Sequence, residues 1–514
     1  MQGSTAPAPR VRFLASFGLI FAAAIFVVAP AFAQSTAPQY GSDPHATESY
    51  RKAMEAADQK IADEVQAHSE LMKNEEYLTT QIGPRLTGSP QMQAASQWTL
   101  KRFQEYGIDV HLETTTVPHA WYRGADSAEI VSPIARRVPI RSLGWSSATK
   151  GEVSGPIVFL NPRDLADVQS KMPQLKGAII CFGDPATLAP SSEVPDNAYD
   201  AVIPPARGVP SGPAFNFAEY RKMLDSLANS GALVILRDSG KPWDLFNMGG
   251  GSSKPYEPST LPTAFLTHED YSLLYRLSHA GAVTMKINLT GTFSPGPVPA
   301  SITVAEIKGS DHPDERVIIG GHLDSWDLGQ GAVDNGTGAM AVLEAARTLK
   351  ALGFQPKRTI TFILYTGEEE GGVGVRLFLA NHAAEIPKID AVLTHDTGTG
   401  RVFSIALEGL YETAPLMAQV YQPLQEVFDL RPVSSRYFGS SDHVAYLRAG
   451  VASYFCVQAP AGYREAHHSQ TDTFDKVIPD QINEGAAVLA AWAWNVSELS
   501  EAFPHHAAQP APEF

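Results

Sequence analysis

Cysteine is almost missing from this chain, with two residues, Cys181 and Cys456, in 514. Each sits in an apolar run, residues 178–182 and 453–457, and reads as a small buried hydrophobe on a strand. A disulfide framework and a cysteine-ligated zinc site are excluded. Clusters of basic residues are missing too. The 39 Lys and Arg are scattered among 55 Asp and Glu, for a formal charge of −16, which argues against nucleic acid and anionic membrane surfaces as partners. Long apolar runs are lacking after residue 28, and no internal repeat is present. With 44% apolar and 18% charged residues, the bulk of the chain has the composition of a folded protein, neither a disordered polyelectrolyte nor a membrane protein. The surplus of acids raises the question of whether some of them hold cations.

The one long apolar run, from Phe13 to Val28, follows Arg10 and Arg12 and precedes Ala31-Phe32-Ala33. This is the form of a cleavable secretory signal over residues 1–33, with a mature start at Gln34, a secreted or periplasmic location and no membrane association afterwards. Residues 34–45 read as a linker. In residues 46–124, Met54, Ala57, Ile61, Val65 and Leu71 recur at helical spacing from Glu48 to about Glu75, and Ser96–Tyr106 suggests a second helix. Residues 125–292 read as a β-rich insert of short apolar runs and long loops, one loop carrying seven prolines between Pro185 and Pro213. Over residues 293–503 strands alternate with helices. Arg316–Gly321, Arg358–Thr366, Ile389–His395 and Val451–Val457 read as strands, the first two near-continuously apolar, while Met340–Leu349 and Asp480–Ser500 read as helices. The fold class is therefore α/β, an open, mostly parallel, mixed sheet sandwiched by helices and interrupted by the insert. Residues 504–514 read as a disordered tail with His505 and His506 in solvent. The N-x-S/T triplets at Asn288, Asn335 and Asn495 are taken as chance matches.

In open α/β sheets function gathers beyond the carboxyl ends of the strands. Four such ends carry one kind of chemistry: His322 to Asp324 with Asp334 soon after, Glu368 to Glu370, His395-Asp396, and His467-His468. Imidazole and carboxylate are ligands that zinc accepts, and five of them suit two metals sharing one carboxylate. Alone, His322 and Asp324 would be a structural hydrogen-bonded pair, the glutamates a solvated acidic turn and Asp334 turn chemistry. Together these bland readings fail, because four acids buried as a group would repel one another without cations. His312, His382 and His395 fall outside the pattern and read as surface or core histidines.

The runs GGHLDSWDLGQGAVDNGTG, PKRTITFILYTGEEEGGVG and HHSQTDT resemble the co-catalytic dizinc aminopeptidase family, and are most similar to its carboxypeptidase Q branch. GPRLTGS at residues 83–89, VPHAWYRG at 117–124, LGWSS at 143–147 and KGAII at 176–180 extend the similarity over nearly the whole mature chain. The resemblance implies that the insert is a protease-associated domain. It also implies two zinc ions, or other divalent transition metals, with Asp334 as the bridging ligand, His322 and Asp396 on one ion, and Glu369 and His468 on the other. Glu368 would be the general base, activating water at the metals, and Asp324 the acid that holds the imidazole of His322 in one tautomer. The peptide after Asp334 would be cis. His467 matches a position that donates to the developing oxyanion, and Ser441, Asp442 and His443 match a substrate-pocket loop. The implied protein is an exported metallo-exopeptidase acting on dipeptides or short peptides with a free amino terminus, and a homodimer. The alternatives are a non-catalytic binding or receptor protein on the same scaffold, or a glutaminyl cyclase-type enzyme with one zinc.

Overall fold

In a computed structural model, which describes residues 44–509 except residue 163 and residues 189–216, the strands fall into a seven-stranded and an eight-stranded sheet, with one two-stranded ribbon beside them. The expected signal segment, nearly all of the linker and most of the proline-rich loop lie outside the described residues. The larger domain is built on the seven-stranded sheet, in the spatial order Asp109–Val117, Val298–Ile307, Arg358–Tyr365, His312–His322, Ile389–Thr394, Ala452–Gln458, Val402–Ala406. Its four consecutive strands from Arg358–Tyr365 to Ala452–Gln458 are parallel, and the outer pairings are antiparallel.

The parallel strands are those with continuous apolar runs. Arg358–Tyr365, Ile389–Thr394 and Ala452–Gln458 are buried at every position, as strands covered on both faces must be. One face packs on helices Pro44–His68, Thr337–Ala351, Ala414–Phe428 and Pro479–Ser497, through Ile61, Leu343, Val420 and Leu489 among others. The other face packs on Val373–Asn381 and His443–Arg448 through Val375, Phe378 and Tyr446. Because the four strands are parallel and adjacent, their carboxyl ends open on one edge, which places the site.

The second sheet departs from the expected β-rich insert. Val153–Leu160, Ile179–Phe182, Val234–Asp238 and Thr263–Leu266 run parallel at its centre, and helices Leu165–Lys171, Phe217–Ala228 and His268–Ala280 accompany them. Short continuous apolar runs favour parallel strands, and parallel strands need crossovers. His268–Ala280 is started by Thr267, whose hydroxyl caps the amide of Asp270.

The expected tail is also corrected as far as Gln509. Phe503 is buried with its amide donating to Asp390 Oδ1 at 2.6 Å, His505 Nε2 lies 2.9 Å from the carbonyl of Ile389, and the Gln509 amide donates to the Arg448 carbonyl at 2.8 Å. Polar-looking residues here satisfy carbonyls that the sheet and the last turn of a helix leave open. Cys181 and Cys456 are buried and free, one in each sheet. Asn335 and Asn495 are fully buried, out of reach of glycosylation. Among the described residues no helix is long and apolar enough to cross a membrane.

Candidate metal centre

Six of the sequence-predicted side chains meet at the carboxyl edge of the larger sheet. His322 ends its strand with Nε2 3.2 Å from Asp396 Oδ1 and 3.4 Å from Asp334 Oδ1. Asp396 follows the neighbouring strand, so sheet register alone sets that pair. Asp334 stands in a kinked turn before helix Thr337–Ala351, and its peptide with Asn335 is cis. Across Asp334, His468 Nε2 lies 3.5 Å from Oδ2 and 2.9 Å from Glu369 Oε2. His467 Nε2 is 3.8 Å from the same Asp334 oxygen, and its ring stacks on that of His468 with centroids 3.7 Å apart. Ligand atoms of His322, Asp334 and Asp396 lie within 4.8 Å of one another, and so do those of Asp334, His467 and His468.

The charges test whether cations fit here. Burial pushes the Glu368 carboxyl up to about 8, reinforced by Asp396, Asp324 and Asp334 against the pull of His322. Burial likewise drives Glu369 well above the carboxylate range, with Asp334 adding to it. The opposite holds for Asp334: burial raises it, but the facing imidazoles of His322, His467 and His468 hold it below its ordinary value. Burial, with His467 beside it, pulls His468 down to about 3, so this imidazole is neutral, the form that ligates metal. Asp334 Oδ2 and Glu369 Oε1 are buried and lack a hydrogen-bond donor. Buried carboxylate oxygens without donors beside neutral imidazole are what zinc binds, and the group fits.

His322 Nδ1 lies 3.0 Å from the Asp324 carbonyl and 3.7 Å from its carboxylate. The carboxylate also accepts from the amides of Glu368 and Glu369 at 3.3 and 3.4 Å, joining two strand ends. Ser441 and Asp442 line a cavity of about 580 Å³ that also reaches Glu368, with apolar walls including Val375, Leu379 and Val444. Both carboxylate oxygens of Asp442 are buried without a partner. His443 does not line this cavity; it is buried behind it, with Nε2 3.4 Å from Glu408 and its ring against Phe455. One residue along a helix turns the side chain by about 100°, which takes His443 away from the face that carries Asp442.

Three supporting residues had no assigned role in the sequence. Arg85, fully buried, donates to the carbonyls of Leu323, Gly83, Gln330 and Gly331, bracing the loop between His322 and Asp334. Asp472 accepts from the amides of Val333 and Asp334 at 2.6 and 3.3 Å. Both lie in motifs the sequence displays, GPRLTGS and HHSQTDT, so position within a motif was the available signal. Lys241, in the second domain, offers no such signal. It donates to the carbonyls of His467 and Arg464 at 2.6 and 2.7 Å, and burial pulls it down to about 8. His395 is buried with burial pulling it to about 4, His312 pairs at the surface with Glu315, and His382 contacts Glu113 and Phe378.

Comparison with known proteins follows the same residues. Residues 303–493 match the model of peptidase family M28. Carboxypeptidase Q from Mus musculus is 31% identical over 433 residues, covering 83% of this chain and 85% of its own, and that from Homo sapiens 30% identical over 433 residues with the same coverage. Among solved structures, a peptidase M28 precursor from Shewanella amazonensis SB2B superposes with a TM-score of 0.73 at 26% identity, covering 90% of this chain and all of the other. A zinc aminopeptidase from Bacillus subtilis shares the fold, with a TM-score of 0.56 at 17% identity over 82% of this chain and 93% of its own. The ordered histidines and carboxylates lie inside the matched region, and the chain belongs to peptidase family M28 as a zinc metallopeptidase similar to carboxypeptidase Q.

Proposed function

We propose that this chain is a dizinc exopeptidase that removes the first residue of dipeptides and short peptides with a free amino terminus. The reading rests above all on Asp334, whose two oxygens face two separate sets of ligand atoms. In it, His322 and Asp396 would hold one ion, Glu369 and His468 the other, and Asp334 would serve both; when bound, zinc would polarise a carbonyl oxygen and lower the pKa of water. Glu368, which lines the cavity beside the assigned ligands, is placed to take a proton from the attacking water and return it to the leaving amine. His467 donates to the carbonyl oxygen as it gains charge. Asp442, whose carboxylate lacks a partner, receives the substrate's ammonium group, and Ser441 lines the same wall.

The second domain, residues 125–292 between the two parts of the peptidase domain, is assigned as a protease-associated domain on its sequence resemblance. Export behind the signal at residues 1–33 and a homodimer complete the reading, and are checked by amino-terminal sequencing of the mature protein and by sedimentation. A panel of dipeptides, tripeptides and their N-acetylated forms, assayed with and without chelator, tests the function. Free dipeptides are expected to be cleaved and N-acetylated ones spared, with activity lost on chelation. Equal cleavage of N-acetylated peptides, or activity that survives removal of all zinc, would refute it.

A further inference from the structure

The loop that carries His467 and His468 is held from outside its own domain. It follows a four-residue helix, Tyr463–Ala466, and His468 adopts a left-handed backbone conformation at φ 58°, unfavourable for a residue with a Cβ. The segment of the second domain just after strand Val234–Asp238 lies along it. Lys241 Nζ donates to the carbonyls of His467 at 2.6 Å, Arg464 at 2.7 Å and Glu465 at 3.4 Å. The Met248 amide donates to the His468 carbonyl at 2.6 Å, the Phe246 amide to Gln470 Oε1 at 2.9 Å, and Gln470 Nε2 to the Asp244 carbonyl at 3.0 Å. These bonds flank both histidines. An ammonium group with three donors can gather three carbonyls converging at the end of a short helix, and it places its charge beside their negative ends.

We infer that Lys241 is a positioning residue: by binding the carbonyls of Arg464 and His467 it fixes the loop that presents His467 and His468 to Asp334, making the second domain part of the catalytic apparatus. The inference rests on the metallopeptidase reading given above. It concerns how the ligands are held, not which reaction follows. Arg123 reinforces the arrangement, pairing through Nε and Nη2 with Asp327 of the His322 loop at 2.6 and 2.7 Å and reaching Met248 Sδ at 3.2 Å. Through Arg123 the same short strap is thereby linked to the His322 loop as well.

The test compares the full-length wild-type chain with Lys241→Met, which keeps length and loses the donors, Lys241→Arg, which keeps charge and donors, and Trp243→Ala, an exposed residue on the same strap, as a control. Metal-free Lys241→Met should melt within a few degrees of wild type, while backbone amides of residues 464–470 exchange at least about tenfold faster. In zinc titrations of the metal-free protein, the ion held by His468 should weaken about 10–100-fold. At saturating zinc, kcat for a dipeptide should fall about tenfold or more with little change in KM. Lys241→Arg should recover part of each loss, and Trp243→Ala should match wild type. Wild-type exchange, zinc affinity and kcat in Lys241→Met would overturn the inference. So would a Lys241→Met chain that does not fold, because the lysine would then support the whole structure and not one loop. Should the wild-type chain cleave no peptide, the functional reading falls, whereas amide exchange in the metal-free proteins still decides whether Lys241 fixes the loop.

Discussion

The candidate metal centre gathers histidines and carboxylates from two settings that hold them in different ways. His322 and Asp396 leave adjacent parallel strands, their side chains are 1% and 9% exposed, and sheet register sets their separation. His467 and His468 stand on a loop, are 38% and 23% exposed, and their carbonyls accept from Lys241 and Met248, beside the second sheet. The strand-borne half inherits its precision from the core, where many close-packed residues share the cost of ordering. The loop-borne half depends on a few polar contacts, each of which matters more. A site assembled in this way should tolerate damage to the two halves unequally.

The largest effect is expected where the halves meet. Asp334→Ala removes both facing oxygens, so hydrolysis should fall by at least about 10⁴-fold and zinc should be lost from both sides, read by metal analysis and a dipeptide assay. Retention of one full zinc equivalent would break the idea that Asp334 belongs to both halves. Next comes Glu368→Gln, which leaves every assigned ligand intact and should lower kcat by about 10²–10⁴-fold while zinc content stays at the wild-type level. A fully active variant would remove Glu368 from the role of base. Asp324→Asn acts on the strand ends. Its carboxylate joins the His322 loop to the amides of Glu368 and Glu369, so zinc affinity should drop about 10–100-fold, read by zinc titration of the metal-free protein. Unchanged zinc affinity would show that this junction does not position the ligands.

The same contrast explains what could be read from the sequence. His322, Glu368, Glu369 and Asp396 each follow a largely apolar run, so the strand and its chemical end are visible together, and the four parallel strands at the centre of the seven-stranded sheet follow from such runs. Lys241 bonds to a carbonyl 226 residues away, and the contact involves His467 backbone, so no side-chain pattern announces it. Arg85 likewise reaches 238 residues to the carbonyl of Leu323. His443 lies in the same resembling run as Ser441 and Asp442, and only the fold shows it against Glu408 and Phe455 while its neighbours line the cavity. The docked segment through Gln509 was not legible because its partners are backbone carbonyls and a carboxylate that only the folded chain brings to it.

The smallest expected effect separates acids assigned to metal from one that merely endures burial. Asp58, on the helix Pro44–His68, lies against Asn495 of helix Pro479–Ser497, whose Nδ2 donates to Oδ2 at 3.1 Å, and its other oxygen has no partner. Burial pushes this carboxyl up to about 8, partly offset by Asn495. No histidine faces it among its hydrogen-bonded or charged neighbours, so it stays neutral where the acids of the centre are suited to cations. An unfolded Asp loses its proton near pH 4, about four units below the folded group. Between those values the native state binds the extra proton, so this residue makes stability fall as pH rises from about 4 to about 8, and contributes no slope outside that window. Asp58→Asn cannot ionise. In the zinc-loaded protein it should match wild type near pH 4 and gain on it steadily toward pH 8, by on the order of 1 kcal/mol per pH unit at most, measured by urea unfolding across the range. Parallel pH profiles for the two proteins would mean that Asp58 is already charged in the native state, and that burial alone does not distinguish it from the acids at the metal centre.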